Sequence, residues 1–225
     1  MDFSNKNILI TGGSRGIGAA IYDTFKNLGG NVLALSSYDC DFLNDNIEKF
    51  CKTNSLNKGI DILINNAGIN KIDNFDEINN NDFDQIIKVN VKAPFILSKC
   101  VIDYMKVNNW GRIVNIASIW GSKSKSQRTS YTTSKAALIG MTKTIAIEYA
   151  KHNILVNSVS PGFTDTELTS KILTKKEKEE LINQVPIKRM ASPKEIANTV
   201  AFLCSDLNTY ITGQDIIVDG GFTIS

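Results

Sequence analysis

Short, uninterrupted apolar runs alternate with longer stretches of helical period along this chain. Ile8-Leu9-Ile10 reads as a buried strand. Ile17, Ala20, Ile21, Phe25 and Leu28 then recur at helical spacing until Gly29-Gly30 ends the helix. Further strands are expected at Val32–Leu35, Ile60–Ile64, Arg112–Ala117, Ile154–Val159 and Ile216–Val218. A long helix is expected from about Phe83 to Val107, bent by Pro94, and another from about Ser130 to Ala150. Pro161-Gly162 breaks the pattern, and the charged Thr174–Glu180 stretch reads as part of a helical flap spanning about 165–190. Ser192-Pro193-Lys194-Glu195 is a capping box with proline at the first helical position. Strands that are apolar throughout, each followed by a helix, predict an α/β fold: a doubly wound parallel sheet with helices on both faces. Without internal repeats or a flexible linker, residues 1–225 read as a single domain.

Composition narrows the function classes. The chain is 42% apolar and 21% charged, enough to bury a core and stay soluble. Its formal net charge of +2 gives no global reason to expect nucleic acid as a partner. No apolar stretch approaches the ~18 residues of a membrane helix, and the first residues lack a secretion pattern, so a cytoplasmic protein is expected. Cys40, Cys51, Cys100 and Cys204 are widely spaced and His152 is the single histidine, so no metal site is expected.

Two loops carry candidate binding chemistry. Thr11-Gly12-Gly13-Ser14-Arg15-Gly16-Ile17-Gly18 joins the first strand to the first helix, where free N–H groups at the positive helix end suit a pyrophosphate. Gly12 can make the turn, Gly16 admits phosphate close to the backbone, and Gly18 lets the helix pack on the strand. The candidate binding residues here are Gly12, Ser14, Arg15, Gly16, Ile17 and Gly18. Asn66-Ala67-Gly68 follows the Ile60–Ile64 strand at the same carboxyl edge, where open α/β sheets take ligands.

Tyr131 and Lys135, four residues apart on one helix, share a face. Such pairs are frequent on helix surfaces, but a fixed ammonium favours the phenolate, so the pair can deliver and recover a proton near neutrality. Ser118 ends the Arg112–Ala117 strand and can donate to a carbonyl oxygen as charge develops there. Asn90, in the long helix, can hold a water that passes protons to Lys135.

The Gly turn, Asn65-Asn66-Ala67-Gly68, Asn90, Ser118, Tyr131-x-x-x-Lys135, Pro161-Gly162 and Val218-Asp219-Gly220-Gly221 occur in one order along nearly the whole chain. In this the sequence resembles the classical short-chain dehydrogenase/reductase family. Stretches such as Pro161-Gly162-Phe163-Thr164-Asp165-Thr166 resemble bacterial 3-oxoacyl-carrier-protein reductases. The resemblance implies a Rossmann-type sheet and hydride transfer between nicotinamide C4 and a ketone or secondary alcohol. It implies Tyr131 as general acid/base, Lys135 lowering its pKa and binding the nicotinamide ribose, Ser118 orienting the carbonyl, and Asn90 completing a proton relay. It also implies Pro161, Gly162, Thr164 and Thr166 near the carboxamide or phosphate, and a homotetramer.

The second strand ends in Ser36-Ser37-Tyr38, with no acid at its tip. With Arg15, these serines favour NADP(H); Asp39, one loop shift away, leaves NAD(H) open. The chain departs from the family pattern here. Ser37 reaches Cys40-Asp41-Phe42 too soon for a parallel crossover, so the helix between the second and third strands is expected to be missing or truncated. The strand there should be lost or shortened too, with Asp41 and Phe42 flanking the adenine. The loop with Trp120, Lys123, Lys125, Gln127 and Arg128 would favour an anionic carbonyl or alcohol substrate, such as a carrier-protein thioester or a nucleotide-linked sugar. A sugar or polar-alcohol dehydrogenase and a non-catalytic cofactor-binding protein are the rival readings.

Overall fold

In the computed structural model, which describes residues 1–167, 169 and 174–225, six parallel strands form one sheet in the order β2-β1-β3-β4-β5-β6. They are β1 (Asn7–Thr11), β2 (Asn31–Leu35), β3 (Ile62–Asn65), β4 (Gly111–Ile116), β5 (Ile154–Pro161) and β6 (Asp215–Val218). The described helices are α1 (Gly16–Asn27), α2 (Ile47–Thr53), α3 (Asn80–Ile87), α4 (Ala93–Val107), α5 (Thr129–Tyr149), α6 (Lys175–Gln184) and α7 (Pro193–Cys204). Part of the expected flap, at 168 and 170–173, lies outside the described residues.

The central strands are apolar throughout because both faces are covered. Leu9, Leu63, Ile113 and Val156 pack with Val101, Met105 and Ala146 of α4 and α5. Ile8, Ile10, Ile62, Ile64 and Val114 pack with Ile21, Phe25, Ile196 and Val200 of α1 and α7. Full burial of each such side chain contributes about 1.5–3 kcal/mol, so alternate residues hold the sheet to the two helical layers. From β2 the chain crosses β1 to reach β3, so the loops after β1 and β3 diverge and open a crevice at their carboxyl ends.

The departure at residues 36–46 takes the expected form. Turns replace a strand there, β2 is the sheet edge, and the helix before β3 is the seven-residue α2. Asn46 caps α2 by accepting from Lys49 N (2.9 Å), and Lys88 Nζ donates to the Leu43 carbonyl (2.5 Å), tying the shortened crossover down.

The helix expected at 83–107, with Pro94 bending it, is interrupted just before that proline. A π-helical turn, Lys88–Lys92, separates α3 from α4, and Pro94 stands at the second position of α4. Proline has no N–H to bond the Asn90 carbonyl four residues back, so the irregularity forms on its N-terminal side. Both capping boxes, Thr174/Glu177 and Ser192/Glu195, are formed; the first was not read from the sequence. His152 ends a 3₁₀ turn before β5.

Candidate active site

The glycine turn and the Asn65–Gly68 loop are stitched together. Thr11 Oγ1 accepts from the N–H groups of Asn66 and Ala67 (both 3.0 Å), and Asn66 Nδ2 donates to the carbonyls of Thr11 and Gly12 (both 3.0 Å). Gly12 and Gly16 have φ of +66° and +58°, which glycine adopts without strain. No side chain caps the N-terminus of α1. Its first N–H groups therefore meet an open, Cβ-free cradle that fits a pyrophosphate. Thr166 approaches the same turn, 3.5 Å from where a Cβ on Gly16 would stand, while Thr164 Oγ1 donates to the Gly162 carbonyl (3.2 Å).

At the tip of β2, Ser36 meets Asp39. Its carboxylate accepts from Ser36 N (2.8 Å) and Ser36 Oγ (2.7 Å), which hold it below the usual carboxylate pKa. A cavity of about 360 Å³ opens there, lined by Gly13, Ser14, Ser36 and Asp39 among others. Asp41 turns back on its own loop, accepting from Leu43 N (2.9 Å) and Asn44 Nδ2 (2.6 Å). Phe42 is buried in the core with Leu35 and Ile47.

Ser118, Tyr131, Lys135 and Asn90 converge from three elements. Ser118 follows β4, its Oγ accepting from Trp120 N (3.2 Å), and faces Tyr131 at the start of α5. Loss of water pushes the Tyr131 phenol up, against the opposing pull of the Ser118 hydroxyl and of the Arg128 charge. Lys135 is buried, donates to the Ile116 carbonyl (2.7 Å) and lies 5.5 Å from the Tyr131 ring centre. Burial brings its pKa down to about 8. Ser118 and Arg128 thus oppose the rise of Tyr131, and Lys135 is engaged by a backbone carbonyl. Gly68 is the meeting point: a Cβ there would stand 3.4 Å from Asn90 Oδ1 and 3.6 Å from Lys135 Nζ. Asn90 accepts from Ile69 N and donates to Ile69 O (both 2.9 Å), so its side chain clamps the loop beyond Gly68.

A family model described as enoyl-(acyl carrier protein) reductase matches residues 40–223. The chain is 39% identical to the 3-oxoacyl-(acyl-carrier-protein) reductase FabG of Rickettsia felis, over 98% of each chain. It belongs to the short-chain dehydrogenase/reductase family. Among solved structures, a ligand-free aldohexose dehydrogenase from Thermoplasma acidophilum superposes with a TM-score of 0.91 at 33% identity, over 99% of this chain and 97% of that one. A putative 2-deoxy-D-gluconate 3-dehydrogenase from Agrobacterium tumefaciens with bound NADP gives 0.86 at 26% identity, over 100% and 98%. The chain is thus an oxidoreductase of this family with a Rossmann-like sheet, and the family binds nicotinamide cofactors.

Within this short-chain dehydrogenase/reductase site, the sequence left two groups unread. Ser134, fully buried, accepts from Asn90 Nδ2 (3.0 Å) and donates to the Tyr131 carbonyl (2.7 Å). Its one visible signal is its place inside Tyr131-x-x-x-Lys135. Phe163 and Phe222 meet Trp120 edge to face beside Ser118, with ring centres 4.9–6.3 Å apart. Their sequence separation hid the cluster. Among the described residues no group of three or more His, Cys, Asp or Glu could hold a metal, and no helix is long and apolar enough to cross a membrane.

Proposed function

We propose that this chain is an NADP(H)-preferring carbonyl reductase that acts on a 3-oxoacyl thioester in the cytoplasm, as a homotetramer. The observation that carries the reading is the placement of buried Lys135 5.5 Å from the Tyr131 ring centre, with Ser118 at the end of the adjoining strand, at the carboxyl edge next to the glycine turn. A reduced nicotinamide held in that crevice would supply the hydride for the carbonyl carbon. Ser118 donates to the carbonyl oxygen and holds it against Tyr131. Tyr131, neutral because burial raises its pKa, gives that oxygen its phenolic proton. Lys135 binds the ribose and stabilises the phenolate left behind. Asn90 keeps the Gly68–Ile69 backbone clear of the same space. Gly12, Ser14, Arg15, Gly16, Ile17 and Gly18, with Thr166, would hold the pyrophosphate; Asn66, Ala67 and Asp41, with Phe42, would border the adenosine; Gly68, beside Lys135, would border the nicotinamide ribose, and Pro161, Gly162 and Thr164 the nicotinamide.

The thioester reading is supported by the Rickettsia felis relative and by the aromatic wall of Trp120, Phe163 and Phe222 next to a loop carrying Lys123, Lys125 and Arg128. A second reading, a sugar or polar-alcohol dehydrogenase, is favoured by the two structural neighbours, an aldohexose dehydrogenase and a putative 2-deoxy-D-gluconate 3-dehydrogenase. A panel of 3-oxoacyl thioesters and keto-sugars, assayed with NADPH and NADH, separates them. Thioester turnover that falls by about 10²–10⁴ in Tyr131→Phe is expected; keto-sugar turnover alone would replace the substrate, and an unchanged Tyr131→Phe rate would remove the mechanism.

For the cofactor, NADP(H) is supported by Arg15, Ser36 and Ser37 and by the NADP bound in the Agrobacterium neighbour. Asp39 favours NAD(H), because it occupies the two Ser36 donors a 2′-phosphate would take. Being fully exposed, it is free to swing away. Asp39→Ala should raise kcat/KM for NADPH several-fold relative to NADH; an unchanged ratio means that Asp39 does not reach the ribose.

A further inference from the structure

The Asn90 amide is unusual in how completely it is used. Its oxygen accepts from Ile69 N, one N–H goes to Ile69 O, and the other goes to Ser134 Oγ. The two Ile69 bonds already fix which way round the amide sits. The third therefore sets something else: the separation between the π turn Lys88–Lys92 and α5. Ser134 closes that link by donating its own proton to the Tyr131 carbonyl one turn back (2.7 Å), so the hydroxyl is satisfied on both sides. A buried helical serine commonly bonds only to its own helix. Here the second partner comes from another element and belongs to the candidate site. Ser134 also stands immediately before Lys135, whose Nζ shares with Asn90 Oδ1 the space beside Gly68.

We propose that Ser134 is a positioning residue for the proton-handling half of the site, fixing the Asn90-bearing π turn to the turn of α5 that carries Tyr131 and Lys135. The inference rests on the catalytic reading given above. The link spans the two sides of the Gly68 gap, so a slack link changes the placement of Tyr131 and Lys135 relative to Asn90 while leaving the glycine turn untouched. The effect belongs in kcat rather than in cofactor affinity.

The test uses the full-length protein and its best substrate from the panel. Ser134→Ala should lower kcat by about 10-fold or more, with KM for the carbonyl and the fluorescence-titrated Kd for reduced cofactor changed less than about 2-fold. Ser134→Thr, which keeps the hydroxyl, should recover most of the loss. In a double-mutant cycle with Asn90→Ala, the combined loss should be no greater than that of the more damaging single variant, because both remove one link. A merely structural serine predicts a lower melting temperature with kcat per folded molecule unchanged, and that result overturns the proposal. So do losses that multiply in the double variant, or a Thr variant that folds but is as slow as Ala. Tyr131→Phe, run alongside, separates the two claims: if it turns over like wild type, the catalytic reading fails and this inference with it. If it is inactive while Ser134→Ala is normal, only the positioning role fails.

Discussion

Lys135 holds a positive charge where water does not reach, with one protein acceptor, the Ile116 carbonyl. Its folded-state pKa of about 8 lies below the ordinary lysine value of 10.5. The sign follows directly. Below pH 8 both folded and unfolded chains carry the proton, and the folded state bears the full penalty of the buried charge. As pH rises from 8 to 10.5 the folded state gives up the proton first, and the penalty is relieved. The penalty is of order 3 kcal/mol, offset in part by the bond to Ile116, about 1 kcal/mol. Lys135→Met should therefore be more stable than wild type at pH 7 by about 1–2 kcal/mol, measured by denaturant unfolding. The advantage should shrink through pH 8–10.5, while turnover falls by at least about 10². A variant less stable at pH 7 would show that the ammonium is well solvated by the site. Tyr131 and Lys135 were legible in the sequence because an i, i+4 spacing is local. Ser134 was not, because its meaning comes from Asn90, 44 residues away.

At the scale of elements, the β1–α1 unit is built around one close approach. A Cβ on Gly18 would lie 2.1 Å from the Gly12 carbonyl oxygen and 2.6 Å from Asn66 Nδ2. Neither can yield cheaply: the first is backbone, and the second already donates to Thr11 and Gly12. Gly18→Ala should therefore cost about 1–3 kcal/mol or more, as overpacking does, and weaken reduced-cofactor binding as the cradle opens. Calorimetry with and without cofactor measures both; a stable variant with unchanged affinity would mean that α1 can slide away from β1. The strands and α1 were readable because buried runs and glycine stops are local signals. The π turn was not: Pro94 announced a break on its N-terminal side, but whether that break is a bend or a widened turn is not a local signal. The shortened crossover was readable as a length too small for a full unit; the seven-residue α2 that fills it was too short and too irregular to predict.

For the whole molecule, the question is what the large exposed apolar side chains are for. Phe95 and Val107 of α4 and Ile147 of α5 are 52%, 86% and 82% exposed, on helices that cover the same face of the sheet. A second group, Tyr210, Ile217 and Ile224, lies before, on and after β6, at the opposite edge of the sheet from β2. Scattered exposed apolar residues need no explanation, but the proposed homotetramer needs two different contacts on each subunit, and these two regions are where the proposal places them. Such a pair of isologous contacts is what a tetramer of D2 symmetry requires of each subunit. A lysine in either group buries an unpaired charge in one contact and leaves the other alone. Ile147→Lys should stop assembly at a dimer held by the β6 contact, and Ile217→Lys at a dimer held by α4 and α5. The double variant should be monomeric, each read as molar mass by light scattering across a dilution series. A wild-type chain that is monomeric at all concentrations, or single variants that both remain tetrameric, would assign these side chains to something other than copies of the same protein. Tyr131 and Lys135 lie on α5 and the aromatic wall includes Phe222 next to β6, so on the proposed reading assembly and turnover should be coupled: the dimers should lose activity before they lose their fold.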